Sequence, residues 1–380
     1  MADKLKILHI TEASGWSGGA AQALYLAREL RALGHLNLIA CPGAGDLWNK
    51  AAAEGFKTIH FQPRRDYDLK TALALARLLD AEKPDVLQAH HPKAHAMGLL
   101  AKFFARHKPV FVFTRRVSHP IVTGFFAKLK YTSLLIDGCI AVADSVRNQL
   151  IAYGLAQERV RTIYSGTDPD RFSPHSPDLE IIKELSLPGR PVVILVGNFS
   201  AHKGQHVLIE AARLLRLRGL DFTLVFAGRG TDSQELRNLC RAAGLPEDGC
   251  RFLGLRNDVE RLLSVAAVSV NAAIKGEALS GSIRESLAMG LPAVASDISG
   301  NAEIVKNGVT GLLFPPGDSA ALADRLETVL KDPGLRNKFS KNSVETVRAG
   351  FTTAIMGRRT LEYYRELIAA AAGARKRKQL

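Results

Sequence analysis

Lys6-Ile-Leu-His-Ile-Thr11, then Ser14-Gly-Trp-Ser-Gly-Gly19, then the periodic run Ala21–Leu33 closed by Gly34, read as buried strand, glycine loop and helix. Outward from this unit the pattern repeats. Short apolar runs at Leu36–Ala40, Thr58–Phe61, Val86–Ala89, Val110–Phe113 and Cys139–Val142 alternate with helical stretches such as Leu69–Leu79 and Ala94–Ala105. Continuous apolar strands separated by helices predict a parallel sheet with both faces covered.

After Asp170-Arg-Phe-Ser-Pro-His-Ser-Pro177 the chain turns polar and proline-rich, and Val192-Val-Ile-Leu-Val-Gly197 restarts the alternation. Its strands fall at Leu224–Ala227, Arg251–Leu253, Val268–Ala272 and Ala293–Ala295. Helices are expected at His206–Leu217, Ser233–Ala243 and Ser282–Met289. At 380 residues two α/β domains fit better than one core. We therefore expect a first domain over 1–180 and a second over 190–357, with 358–380 a candidate for crossing back to the first.

The composition excludes several classes. No apolar stretch approaches the ~20 residues of a membrane helix, and the start Met-Ala-Asp-Lys-Leu-Lys has no apolar core of a secretory leader, so a cytoplasmic location is expected. Cys41, Cys139, Cys240 and Cys250 lie far apart without a C-x2-C pair and are read as reduced. The net charge of +14 calls for an anionic partner. From Val86 to Ile136 there are eight basic residues and no acid, which predicts one positive face. Together with Gly124-Phe-Phe-Ala-Lys-Leu-Lys-Tyr131 and the tail Arg375–Lys378, that face is a candidate for an anionic membrane surface. Nucleic acid is a weaker partner, since no aromatic platform is interleaved with the charge. His90, His91, His95, His107 and His119 share this acid-free span, but their spacing fits no compact ligand set and no metal site is expected.

Three places carry chemistry. Gly18 and Gly19 open a helix after a strand, where backbone approaches a ligand and a helix N-terminus favours an anion. Lys203 lies in the loop after strand 192–197, at the end of an open sheet where ligands bind. Glu277-Ala-Leu-Ser-Gly-Ser-Ile-Arg-Glu285 is an E-x7-E stretch running from a strand end into a helix. The N–H groups around Ser280, Gly281 and Ser282 suit a diphosphate without a metal ion, Glu285 suits a ribose diol, and Glu277 can reach hydroxyls beyond the diphosphate.

These motifs, with Gly34-His35, Ser165-Gly-Thr-Asp168, Phe172, Pro174, Lys203-Gly204, Met289-Gly-Leu-Pro292, Glu303 and Gly311-Leu-Leu-Phe314, run nearly the whole chain in order. The sequence resembles the family-4 retaining glycosyltransferases. The resemblance implies two Rossmann-like domains facing across a cleft, the GT-B type. It also implies a nucleoside-diphosphate-sugar donor, Lys203 on the diphosphate, Glu285 on the ribose, Glu277 on the sugar, and no required cofactor. Glu277 and Lys203 are the catalytic candidates. Gly18, Gly19, Asn198, Lys203, Arg229, Ser280, Gly281, Ser282 and Glu285 are the donor-binding ones.

Three departures stand out. Many relatives carry arginine where Asn198 stands, leaving Arg229 or Arg284 to compensate. Ser165 replaces a usual asparagine, and a histidine often found after the fifth strand of the first domain is replaced around Thr114-Arg115-Arg116. His91, Arg115, Arg116 and His119 are the acceptor-side candidates. The expected reaction is sugar transfer to a glycan or lipid-linked acceptor in cell-envelope polysaccharide or lipopolysaccharide synthesis. The rivals are a nucleotide-sugar epimerase on the same fold and an inactive binding subunit.

Overall fold

The computed structural model describes residues 4–377 apart from Val122, with side chains as far as Gly373. Two compact units divide the chain, one running to Gly166 and resuming at Thr353, the other spanning Thr167–Thr352.

The first unit holds seven strands: β1 (Lys6–Ile10), β2 (Leu36–Cys41), β3 (Lys57–His60), β4 (Val86–Ala89), β5 (Val110–Arg115), β6 (Gly138–Ala141) and β7 (Val160–Thr162). They pair in parallel in the order β3-β2-β1-β4-β5-β6-β7. The second unit holds β8 (Val192–Val196), β9 (Thr223–Ala227), β10 (Cys250–Phe252), β11 (Val268–Asn271), β12 (Ala293–Ser296) and β13 (Gly311–Phe314), again all parallel. Their order is β10-β9-β8-β11-β12-β13. In each sheet the chain leaves the first strand in one direction and later returns to its other side. The strand order therefore reverses at β1/β4 and at β8/β11, the places where open α/β sheets form a crevice beyond the strand ends.

Burial on both faces explains the apolar runs. Val193, Leu195, Phe226, Val270 and Val294 pack with Leu208, Leu215, Leu322 and Leu326 from the helices Gln205–Leu217 and Ser319–Lys331. All four cysteines are buried and unbridged. Among the described residues no helix is long and apolar enough to cross a membrane.

The domain limits differ from those expected at 180 and 190. The proline-rich stretch belongs to the second unit, because Arg171 binds Glu260 at 2.7 Å and Asp178 caps the helix Leu179–Glu184 while holding Arg261 at 2.6 Å. Polar residues here fasten a surface rather than bridge two bodies. The return begins at Thr353, five residues before the expected 358, with the helix Thr353–Arg377. Its Tyr363 and Tyr364 are buried among first-unit strands. Gly138 on β6 makes room for it, since a Cβ there would lie 2.5 Å from Leu367 and 2.6 Å from the Tyr363 hydroxyl.

Gln88, fully buried on β4, joins these layers by donating to Thr114 Oγ1 at 2.5 Å and accepting from the Tyr364 hydroxyl at 2.9 Å. Tyr364→Phe leaves the Gln88 oxygen buried without its donor. The expected loss is about 1–3 kcal/mol, read as a lower urea midpoint; an unchanged midpoint would show that this bond does not help to hold the terminal helix.

Candidate functional site

In the second unit the loops after β8 and β11 are forced together by backbone contact. Gly204 has φ +68° and ends the β8 loop, and a Cβ there would sit 1.8 Å from the Ala272 carbonyl oxygen at the end of β11. Ile274 N–H donates to His202 O at 2.8 Å. This closeness lets Lys203 and Glu277, far apart in sequence, form an ion pair between Nζ and Oε1. The Glu277 side chain is 11% exposed and that of Lys203 38%, so the carboxylate is the sheltered partner and the ammonium faces outward.

Glu277 leads into Ser280, whose hydroxyl caps the helix Gly281–Ala288 by accepting from Ile283 N–H. That hydroxyl also accepts from Asn271 Nδ2 at 2.9 Å and lies 3.1 Å from Ser282 Oγ. Behind it, Asn301 Nδ2 donates to Asn271 Oδ1 at 3.3 Å and to Ser296 O at 3.2 Å. Gly300 presses on the same loop: a Cβ there would lie 1.6 Å from Ala278 O. The first N–H groups of this helix, around Gly281 and Ser282, are thus held in place before any ligand arrives.

Glu285 follows on the second turn, half-buried. Burial pushes its carboxyl up to about 7, against the pull of the Arg284 and Arg171 charges and with a push from Glu260. Asn198 carries no charge to this edge. Its side-chain oxygen accepts from Arg229 N–H at 3.1 Å. Arg284 is buried beside Gly281, and Arg229 is exposed.

In the first unit, the loop after β1 meets the residues after β4. His91 stands at the N-cap position of the helix Pro92–Phe104 without bonding its N–H groups, and its Nδ1 lies 2.6 Å from Thr11 Oγ1. Its ring lies over the start of the helix Gly18–Ala32, so that a Cβ on Gly19 would come 2.5 Å from Nε2, whereas Gly18 has open space. Glu12, the acid nearest this edge in sequence, accepts from Lys93 N–H and Ala94 N–H, both at 2.9 Å. His9 and His90 stack in the interior with a 3.0 Å contact between ring nitrogens. Burial holds His9 down to about 4 and His90 well below its usual range, so both are neutral. Arg116 reaches Ser165 Oγ at 3.1 Å and His90 Nδ1 at 3.5 Å.

Residues 16–171 match the family model described as glycosyltransferase family 4, and residues 178–346 match glycosyl transferases group 1. The phosphatidyl-myo-inositol mannosyltransferase of Mycobacterium leprae is 32% identical over 268 residues, 70% of this chain and 69% of that one. The chain belongs to the family-4 glycosyltransferases. The lipopolysaccharide core biosynthesis glycosyltransferase LpsE of Rhizobium meliloti is 27% identical over 316 residues, 82% of this chain and 84% of that one. Among solved structures, Anabaena HepE in complex with UDP superposes with a TM-score of 0.83 at 22% identity, covering 95% of this chain and all of that one. The fold is GT-B.

For a family-4 glycosyltransferase, the expected site residues are thus partly gathered. Lys203, Glu277, Ser280, Gly281, Ser282 and Glu285 line one edge of the second sheet. Gly19, His91 and Arg116 lie at the corresponding edge of the first. Arg115 does not join them as an acceptor contact: it is buried, donating to the Tyr131 hydroxyl at 2.9 Å and to His119 O at 2.5 Å. His119 is exposed on the loop that Arg115 folds back.

The single positive face also fails. Lys102 is buried against Asp137 and Lys130 against Asp66. Arg106 and Lys108 precede β5, whereas Arg115 and Arg116 lie at its far end. The tail expected at Arg375–Lys378 lies beyond the described side chains, and Lys378 outside the described residues.

Sequence reading missed Asn271, Gly300 and Asn301. The available signal was Asn271 as the one amide side chain ending a buried Val-Ser-Val-Asn strand. A cavity-free polar group at that position must serve its neighbours.

The raised Glu285 carboxyl has a stability signature. Its folded pKa lies above the ordinary 4.5, so as pH rises past 4.5 the unfolded chain ionises first and stability falls until about pH 7. Glu285→Gln escapes this loss. The variant is expected to match the parent at pH 4 and to exceed it at pH 8 by about 1–3 kcal/mol in thermal unfolding; a gap that does not widen with pH contradicts the raised carboxyl.

Proposed function

We propose that this glycosyltransferase moves a sugar from a nucleoside-diphosphate-sugar donor to a glycan or lipid-linked acceptor in cell-envelope polysaccharide or lipopolysaccharide synthesis, retaining anomeric configuration. The observation that carries this reading is the Lys203–Glu277 ion pair beside the preformed helix N-terminus at Gly281. The UDP complex of HepE supports a nucleotide donor. The relatives named for phosphatidyl-myo-inositol and lipopolysaccharide core support a lipid-linked or glycan acceptor. Retention is what the family resemblance implies.

Transfer breaks the bond between the anomeric carbon and a diphosphate oxygen, so negative charge grows on the leaving group. Lys203 and the Gly281 and Ser282 N–H groups stabilise that charge, and being held in advance they need little rearrangement. The donor diphosphate competes with Glu277 for Lys203. Once displaced, the Glu277 carboxylate turns to the sugar hydroxyls, whose geometry changes during transfer. Glu285, ionised, accepts from the two ribose hydroxyls in ground and transition states alike. With the diphosphate balanced by protein groups, no divalent ion is required.

Steady-state kinetics of folded variants separate these roles. Glu285→Ala should mainly raise the donor KM and Glu277→Ala mainly lower kcat. Lys203→Ala should reduce kcat/KM by roughly one to two decades, the worth of a charge-assisted contact. If Glu277→Ala and Glu285→Ala both keep near-parental kcat/KM, this edge is not the donor site.

A lipid-linked acceptor places the enzyme at a membrane, and one surface fits. On the helix Phe125–Thr132 the side chains of Phe125 and Phe126 are 77% and 67% exposed, with Leu129 and nearby Leu134 also exposed. Lys128 sits among them, and the loop bearing exposed Arg64 and Arg65 is joined by the Tyr67–Phe126 ring contact at 6.1 Å. Aromatics flanked by cations suit an anionic interface. Phe125→Ser/Phe126→Ser should lose co-sedimentation with phosphatidylglycerol vesicles at low salt. Equal binding of the parent to neutral vesicles would remove the electrostatic part.

A further inference from the structure

The exposed guanidinium of Arg229 sits on a loop whose backbone is fastened on every side. Gly228, with φ +143°, lies so close to the β8 loop that a Cβ would be 2.3 Å from Gly197 O. Arg229 N–H donates to Asn198 Oδ1 at 3.1 Å, and Arg229 O accepts from Phe199 N–H at 2.9 Å. Asn198 is itself fixed, its carbonyl accepting from the buried Gln205 Nε2 at 3.0 Å. Beyond it Thr231 Oγ1 donates to Gly228 O at 2.9 Å and accepts from Gly254 N–H at 3.0 Å. The Asn198 amide thus stands in for a backbone acceptor and sets where residue 229 projects.

Among the described residues no hydrogen bond or ion pair engages the Arg229 side chain, and the residue is exposed. Lys203 rises from the same edge, its Cδ 3.9 Å from where a Gly197 Cβ would be, but its charge is met by Glu277. Arg284 is 5% exposed and packs beside Gly281. Arg229 is therefore, with exposed Lys275 on the β11 loop, a cation at this edge that no ion pair among the described residues neutralises, and of the two it is the one whose backbone is fastened beside Lys203 through Gly197. A rigidly based guanidinium is suited to paired phosphate oxygens.

We infer that Arg229 is the second cation on the donor diphosphate, aimed by the side chain of Asn198. The inference rests on the donor site proposed above. Arg229 makes the first electrostatic contact because Lys203 must first exchange Glu277 for phosphate. Asn198 is a positioning residue: it supplies no charge, and its effect passes wholly through Arg229.

Titration calorimetry on the full chain tests this, with UDP as the charged probe and uridine as the phosphate-free one. Arg229→Ala should weaken UDP by about 10- to 100-fold and leave uridine unchanged. Asn198→Ala should weaken UDP several-fold in the parent and not at all in the Arg229→Ala background. Asn198→Arg in that background returns a cation to the adjacent loop and should restore most of the UDP affinity. Parental UDP binding by Arg229→Ala overturns the inference, as does an equal loss of UDP and uridine. If Lys203→Ala still weakens UDP in that case, the donor site stands and only the role of Arg229 falls. If the parent binds none of UDP, GDP, ADP or dTDP, the donor site and this inference fail together.

Discussion

Where the chain leaves β8, Gly204 passes so close to the Ala272 carbonyl that no side chain fits between them. The contact is between backbones, which makes it unforgiving: neither partner can rotate out of the way. It fixes the spacing of the loops after β8 and β11, and that spacing is what lets Lys203 meet Glu277. The helix N-terminus at Gly281, the half-buried Glu285 and the amide chain Asn301–Asn271–Ser280 are all placed relative to this contact. A second backbone contact, Gly300 on Ala278, clamps the other side of the same loop. Two glycines thus hold a site whose chemistry belongs to charged neighbours.

The departures from the family pattern are paired with a neighbour. Ser165 is shorter than asparagine, and the space is met by Arg116, whose guanidinium reaches its hydroxyl. Arg116 in turn touches His90, which stays neutral through burial and so presents no opposing charge. Asn198 lacks a cation but organises a loop bearing one. Such pairing is what is expected when contacting side chains contribute non-additively.

Much of this was legible in the sequence where a physical demand falls on consecutive residues. β8 reads as a strand because both its faces are buried, and the Glu277–Glu285 stretch carries its turn, cap and helix in one run. β7 was missed: three residues at a sheet edge, with Arg161 solvent-facing, give no pattern. β13 surfaced only as a motif, four residues between turns. The boundary was misplaced because the caps and ion pairs of residues 167–184 look, in one dimension, like a polar linker. The basic span misled for a related reason. The acids that neutralise Lys102 and Lys130, Asp137 and Asp66, lie outside it in sequence and beside it in space.

The helix Thr353–Arg377 completes a unit whose other parts were made almost two hundred residues earlier. During synthesis the first sheet must wait, with the surface around Gly138 and Gln88 uncovered, until the helix Thr353–Arg377 has left the ribosome. The second unit is continuous and can close in the meantime. The unit begun first is therefore closed after the second has been made, and until then its uncovered core is the kind of apolar surface that chaperones shield.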